Sequence, residues 1–154
     1  MAGGQTGGRS RVLQPISVTD VLAEDVVTAD PETPIRTVVA AMDQNDVGSV
    51  VVVEDGEPVG IVTDRKIALA LEETPDVAEQ PVENLVADRF VTADTSVTIF
   101  EVAQRMSDEG IRRMPVVDDE GRLQGIVTLD DVIVLLGSEL NNAAETIRSQ
   151  IPRL

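Results

Sequence analysis

The chain repeats itself, and an internal repeat constrains architecture more than any composition does. Val27-Thr28-Ala29-Asp30 recurs as Val91-Thr92-Ala93-Asp94, a shift of 64 positions. At the same shift Ile35, Val38 and Met42 become Ile99, Val102 and Met106. Each trio falls at i, i+3, i+7, with Val39 and Ala103 at i+4, which is one face of an amphipathic helix. Ser49-Val50-Val51-Val52-Val53 aligns with Arg113-Met114-Pro115-Val116-Val117, a short apolar run of strand length. An acidic turn follows in both copies, Glu54-Asp55-Gly56 and Asp118-Asp119-Glu120-Gly121, and the extra residue makes the shift 65. Gly60-Ile61-Val62-Thr63 then recurs as Gly125-Ile126-Val127-Thr128, each leading into a helix pattern, Ile67 to Leu71 and Val132 to Leu136.

Each copy therefore reads helix–strand–helix–strand–strand–helix. One copy is too small to bury its own sheet well, whereas two related by a pseudo-two-fold axis can cover each other. The expected division is a flexible Gly-rich tail over 1–14, a first repeat over 15–74, a linker over 75–80, a second repeat over 81–137 and a helical tail over 138–154. In that tail Leu140, Ala143, Ala144, Ile147 and Ile151 fall at helical spacing, suited to packing on the module, extending a dimer contact or recruiting a partner.

Composition narrows the chemistry. Twelve basic against 28 acidic side chains leave a net charge of −16, the opposite of what phosphate-backbone binding requires. Cysteine and histidine are both absent, which removes disulfides, thiol and imidazole catalysis and Cys/His zinc sites. With two phenylalanines and no Trp or Tyr, the core has to be aliphatic, and Met42, Met106 and Met114 are read as packing residues. Every basic residue but Lys66 is Arg. An acid-rich, lysine-poor shell fits a salt-saturated cytoplasm, where screening relieves self-repulsion, so a halophilic archaeal source is expected. The chain is expected to be cytoplasmic: its opening has no apolar stretch, and nothing later approaches a membrane-spanning run.

Some site chemistry follows from the residues alone. A strand ends at Val127 and a helix begins within a residue or two of Thr128, a natural N-cap position. Free N–H groups at such an end hold phosphate, and Asp131, one turn in, offers two acceptor oxygens to a ribose diol. The plain alternative makes Thr128 and Asp131 only a cap and a first-turn acid. Arg112-Arg113 is the one adjacent arginine pair, suited either to anion binding or to salt-bridging a neighbouring acid. No acid falls in a recognisable catalytic spacing, so neither a catalytic nor a metal site is expected.

Both copies resemble the cystathionine-β-synthase (CBS) domain, and the pair resembles a Bateman module. The resemblance runs from about Ile16 to Leu136 and rests on Met114-Pro115-Val116-Val117-Asp118 and the Gly-Ile-Val-Thr-x-x-Asp segment Gly125 to Asp131, in an order present twice. It implies an α/β (α+β) fold of two βαββα repeats, with sheets packed together and helices outside. It also implies a cleft in which Thr128, Asp130 and Asp131 take ribose and phosphate, Arg113 takes phosphate, and Asp25, Val26, Val47 and Gly48 contact adenine. The second cleft departs from the pattern, because Lys66 stands where the ribose-binding aspartate belongs. Thr63, Arg65, Lys66, Phe90, Ile111 and Arg112 would line it, holding a phosphate or, with Lys66 paired to an acid, nothing.

The function implied is a stand-alone regulatory sensor, not an enzyme. Its ligand would be an adenosyl compound (AMP, ADP, ATP, an NAD-type dinucleotide or S-adenosylmethionine), no cofactor would be required, and the output would pass to an effector protein. A reading of another class is a dimeric interaction scaffold with vestigial clefts. Modules of this kind commonly form homodimers, and apolar helix faces around Val132, Val134, Leu135 and Leu136 would supply an interface.

Overall fold

The computed structural model describes residues 16–87 and 90–151. The tail over 1–14 lies outside the described residues. The first copy contains β1 (Thr28–Ala29), α1 (Ile35–Asn45), β2 (Ser49–Glu54), β3 (Glu57–Thr63) and α2 (Asp64–Glu73). The second contains β4 (Ala93–Asp94), α3 (Ile99–Glu109), β5 (Arg113–Val117), β6 (Leu123–Thr128) and α4 (Leu129–Gln150). Each copy forms a three-stranded mixed sheet, β1-β2-β3 and β4-β5-β6, in which the first pair is parallel and the second antiparallel. Both sheets slip register at the same place, between Val52 and Val53 and between Val116 and Val117.

The turns explain the changed repeat shift. Asp55 and Gly56 both have positive φ (52° and 82°), a two-residue hairpin that matches the strand twist. Its longer counterpart is held by the Asp118 carboxylate, which accepts the backbone N–H groups of Glu120 and Arg122 at 2.9 Å each.

Two aliphatic cores result. Val38, Met42, Val50, Val52 and Val62 lie in one, and Val102, Met106, Met114, Val116 and Val127 in the other, so the methionines are packing residues as expected. Val51 is also fully buried, yet it belongs to neither cluster. It sits on the opposite sheet face, where β3 of one repeat lies against β5 of the other and Leu123 N–H donates to the Gly56 carbonyl at 3.0 Å.

The cores also exchange their leading segments. Val18, from a short 3-10 turn (Val18–Asp20) ahead of the first copy, is fully buried in the second core. Its counterpart 64 positions on, Val82, is fully buried in the first, together with Val77 from the segment joining the copies. Ala23 exchanges two hydrogen bonds with Ile126, both 3.0 Å, running as an extra antiparallel edge beside β6.

The crossing explains the repeated glycine that opens each Gly-Ile-Val-Thr. A Cβ on Gly60 would lie 2.0 Å from Val86 Cγ1, and one on Gly125 would lie 2.5 Å from the Ala23 carbonyl oxygen. Only a residue without a side chain lets the exchanged segment approach so closely.

One expectation changes here. Val132 is fully buried in the second core, not part of an exposed face; only Val134 of that group is strongly exposed, while Leu135 and Leu136 pack partly on the core. The C-terminal tail is a direct continuation of α4, helical through Gly137 to Gln150.

Candidate functional site

The predicted binding helix ends form as helix caps. Thr128 caps α4, its hydroxyl accepting the Asp131 N–H at 3.2 Å, and Thr63 caps α2 through the Lys66 N–H at 3.2 Å. Thr128 is also paired across the sheet with Arg113, so the two residues share one end of β5 and β6.

Arg112 resolves differently from its neighbour. Its Nη2 donates to Asp130 Oδ1 at 2.9 Å, with both side chains largely exposed. The pair is the salt-bridging alternative of the sequence reading, and it ties up one of the acids expected to face a ligand. An exposed bridge of this kind contributes little stability.

Asp131 opens onto a shallow depression of about 510 Å³, walled by Asp20, Val21, Leu22 and Ala23 of the exchanged leader and by Val134 and Leu135 of α4. The corresponding depression of the first repeat, about 590 Å³, holds Thr63, Arg65 and Lys66 with Leu85, the counterpart of Val21. Asp25 and Val26 follow directly on the leader and run beside the start of β2, since the Val27 carbonyl accepts the Val51 N–H at 3.0 Å. Val47 and Gly48 immediately precede β2, but they line a different feature, the groove between α1 and α2, where Asp64 lies 3.2 Å from a Cβ built on Gly48.

Phe90 and Ile111, expected in the second cleft, come together in a slot of about 170 Å³ between the repeats. Ile61 of β3 closes one side, and Pro115, Glu109 and Arg113 the other. Arg113 therefore borders both the Thr128 cap and this slot.

The leader residues Asp20 to Ala23 were not anticipated at the site. The signal was present in the 64-residue shift, which pairs Val18 with Val82 and Leu22 with Val86, and in the recurring Gly60 and Gly125. Among the described residues, no cluster of His, Cys, Asp or Glu is arranged to hold a metal ion, and no helix is long and apolar enough to cross a membrane.

The CBS domain model matches residues 18–73 and 82–138, most of the chain and both repeats. The chain belongs to the CBS domain family. Among curated relatives, the CBS domain-containing protein YhcV of Bacillus subtilis is 34% identical over 118 residues, covering 77% of this chain and 84% of YhcV. An uncharacterized protein of Methanopyrus kandleri is 34% identical over 125 residues, covering 79% of this chain and 63% of its own length.

The CBS pair also resembles solved structures. The CBS domain pair of protein MJ0100, in complex with 5′-methylthioadenosine and S-adenosyl-L-methionine, superposes with a TM-score of 0.73 at 29% identity, covering 82% of this chain and 99% of that one. The cytosolic domain of the Mg2+ channel MgtE, in complex with ATP, gives 0.68 at 25% identity, covering 78% and 48%.

Proposed function

We propose that this CBS pair is a regulatory module that binds an adenosine-containing small molecule at the Asp131 depression and so shifts an effector protein between two states. The observation that carries the reading is the likeness, over 82% of the chain, to a CBS pair in complex with S-adenosyl-L-methionine and 5′-methylthioadenosine. The local chemistry is consistent with it. Asp131 accepts from the ribose diol, the Thr128 cap and first-turn N–H groups face anionic oxygen, and Arg113 supplies the charge. Adenine lies toward Asp25 and Val26, beside the start of β2.

The Lys66 side takes no ribose in the same way, since an ammonium donates and cannot accept from a diol. A ligand that bridges the leader and α4 stabilises the arrangement in which they meet, by no more than its differential affinity for the two states. At about 100-fold excess over Kd that amounts to ~2.7 kcal/mol.

The test is isothermal titration in high salt against AMP, ADP, ATP, NAD, S-adenosylmethionine and 5′-methylthioadenosine. One member of the panel should bind at one per chain, Asp131→Ala should lose it, and Lys66→Ala should keep it. The proposal fails if none binds at millimolar concentration, or if Asp131→Ala binds as the parent does.

A further inference from the structure

The two repeats treat one position of their first long helix in opposite ways. At the 64-residue shift, Arg105 of α3 has Ala41 of α1 as its counterpart. Arg105 lays its guanidinium back over β4, where Nη1 donates to the Thr92 carbonyl at 3.3 Å. It also helps to hold the Asp94 carboxyl low, behind the larger effect of Ser96. In the first repeat the alanine leaves the same corner open. A cavity of about 320 Å³ lies there beside β1, and Thr28, Asp30, Thr33, Thr37 and Ala41 line it. Ala29, in its wall, is half-buried, whereas its counterpart Ala93 is 1% exposed.

The open corner keeps the acceptors of the filled one. The Val27 carbonyl faces β2, accepting the Val51 N–H at 3.0 Å, so the next carbonyl along this extended edge, that of Thr28, faces away from β2. It stands in the place of the Thr92 carbonyl that receives Arg105. Asp30 stands in the place of Asp94, but Glu32 replaces Ser96, so the hydroxyl that engages Asp94 is missing. Among the described residues the Asp30 carboxylate has no hydrogen-bond or ionic partner. Thr33 replaces the buried Val97 and adds a hydroxyl to the wall. A carboxylate, a backbone carbonyl and threonine hydroxyls thus border one space, and no basic side chain lines it.

The group that suits such a space is the one its counterpart already holds. A guanidinium is planar, always charged and carries five N–H donors with no acceptor, so it can serve several acceptors at once. An ammonium is more compact and more strongly hydrated, and loses more on leaving water.

We propose that the first repeat binds a guanidinium group from outside the chain in the place that Arg105 fills from within the second, with its N–H groups donating to the Thr28 carbonyl and the Asp30 carboxylate. The group belongs to a free guanidino compound or to an arginine of a partner protein, which present the same fork. The site shares no residue with the Asp131 depression, so the two are tested separately.

The probe is methylguanidinium chloride, titrated at constant high ionic strength into the full chain and followed by amide NMR shifts. Saturable shifts should be confined to β1 and the facing side of α1, and methylammonium should bind about tenfold more weakly or not at all. Ala41→Arg supplies the guanidinium from within and should abolish the response. Asp30→Asn should weaken it about fivefold, through loss of a charge-assisted bond. Arg105→Ala, which leaves the first corner unaltered, should open a second response at Thr92 and Asp94. A capped Gly-Arg-Gly peptide that binds more tightly than agmatine marks an arginine of a partner, and the reverse order marks a free guanidino compound. Equal shifts with methylammonium, shifts spread over the acidic surface, or an Ala41→Arg protein that responds as the parent does overturns the assignment.

Discussion

Gly125→Ala isolates the exchange of leading segments. The added methyl would lie 2.5 Å from the Ala23 carbonyl oxygen and 2.7 and 2.8 Å from Leu22 Cγ and Cδ1, where ordinary contact begins at 3.4 Å. The leader must retreat by about 1 Å, more than a packed backbone absorbs without losing its neighbours. Retreat strains the two 3.0 Å bonds between Ala23 and Ile126, each worth about 1 kcal/mol net. Complete release also exposes Val18, now fully buried, at about 1.5–3 kcal/mol. Release relieves the clash, so it caps the cost. The expected loss is about 2–5 kcal/mol. Urea unfolding gives the stability, and hydrogen exchange at Val18 to Ala23 reports whether the leader has come away. Gly137→Ala, with nothing within 4 Å of the new methyl and a helical backbone, is the control and should gain up to about 1 kcal/mol. If Gly125→Ala unfolds within 0.5 kcal/mol of the parent, roughly the scatter of an ordinary surface substitution, the close crossing is not what the glycine serves.

Other substitutions separate further contributions. Val82→Ala, which leaves a hole in the first core from outside that repeat, should cost about 2 kcal/mol by chemical denaturation. Thr128→Ala should cost about 1 kcal/mol in the same assay without ligand, through loss of the α4 cap. A net charge of −16 predicts a melting temperature that rises steeply from about 0.1 to 1 M salt, as the screening length falls from about 10 to 3 Å. A flat profile would remove the argument for a high-salt habitat. Bonds from the hydroxyl and backbone N–H of Ser96 hold the Asp94 carboxyl below the usual carboxylate range, with Arg105 adding a smaller effect. That contribution is present above the unfolded value and is lost as pH falls through the folded one. The stability difference between the parent and Asp94→Asn should therefore be constant above about pH 5 and shrink below about pH 4.

Regular elements were legible because repetition and period agree. Ile35, Val38 and Met42 face a core by helical spacing, and Ile99, Val102 and Met106 confirm the pattern by repeating it. Val132 was not legible. It lies in the run Val132-Ile133-Val134-Leu135-Leu136, apolar all round, where spacing does not say which face meets the core. The leader was hidden for another reason. Val18-Thr19-Asp20-Val21-Leu22 is too short for a period, and its contacts lie about a hundred residues away. Arg112 and Arg113 are identical in sequence terms and divide only in space, one paired with Asp130 and the other bordering both the Thr128 cap and the slot.

The exchange of Val18 and Val82 makes the unit of sequence differ from the unit of folding. Cutting the chain after Glu73 would not yield two half-proteins, because each fragment would keep the piece that closes the other's core. The fragments should instead recombine on mixing, each offering what its counterpart lacks. A gene carrying one repeat would likewise make a chain whose leading segment fits only into a sibling. Joining two repeats in one polypeptide turns that encounter between molecules, dependent on concentration, into a step within a single chain.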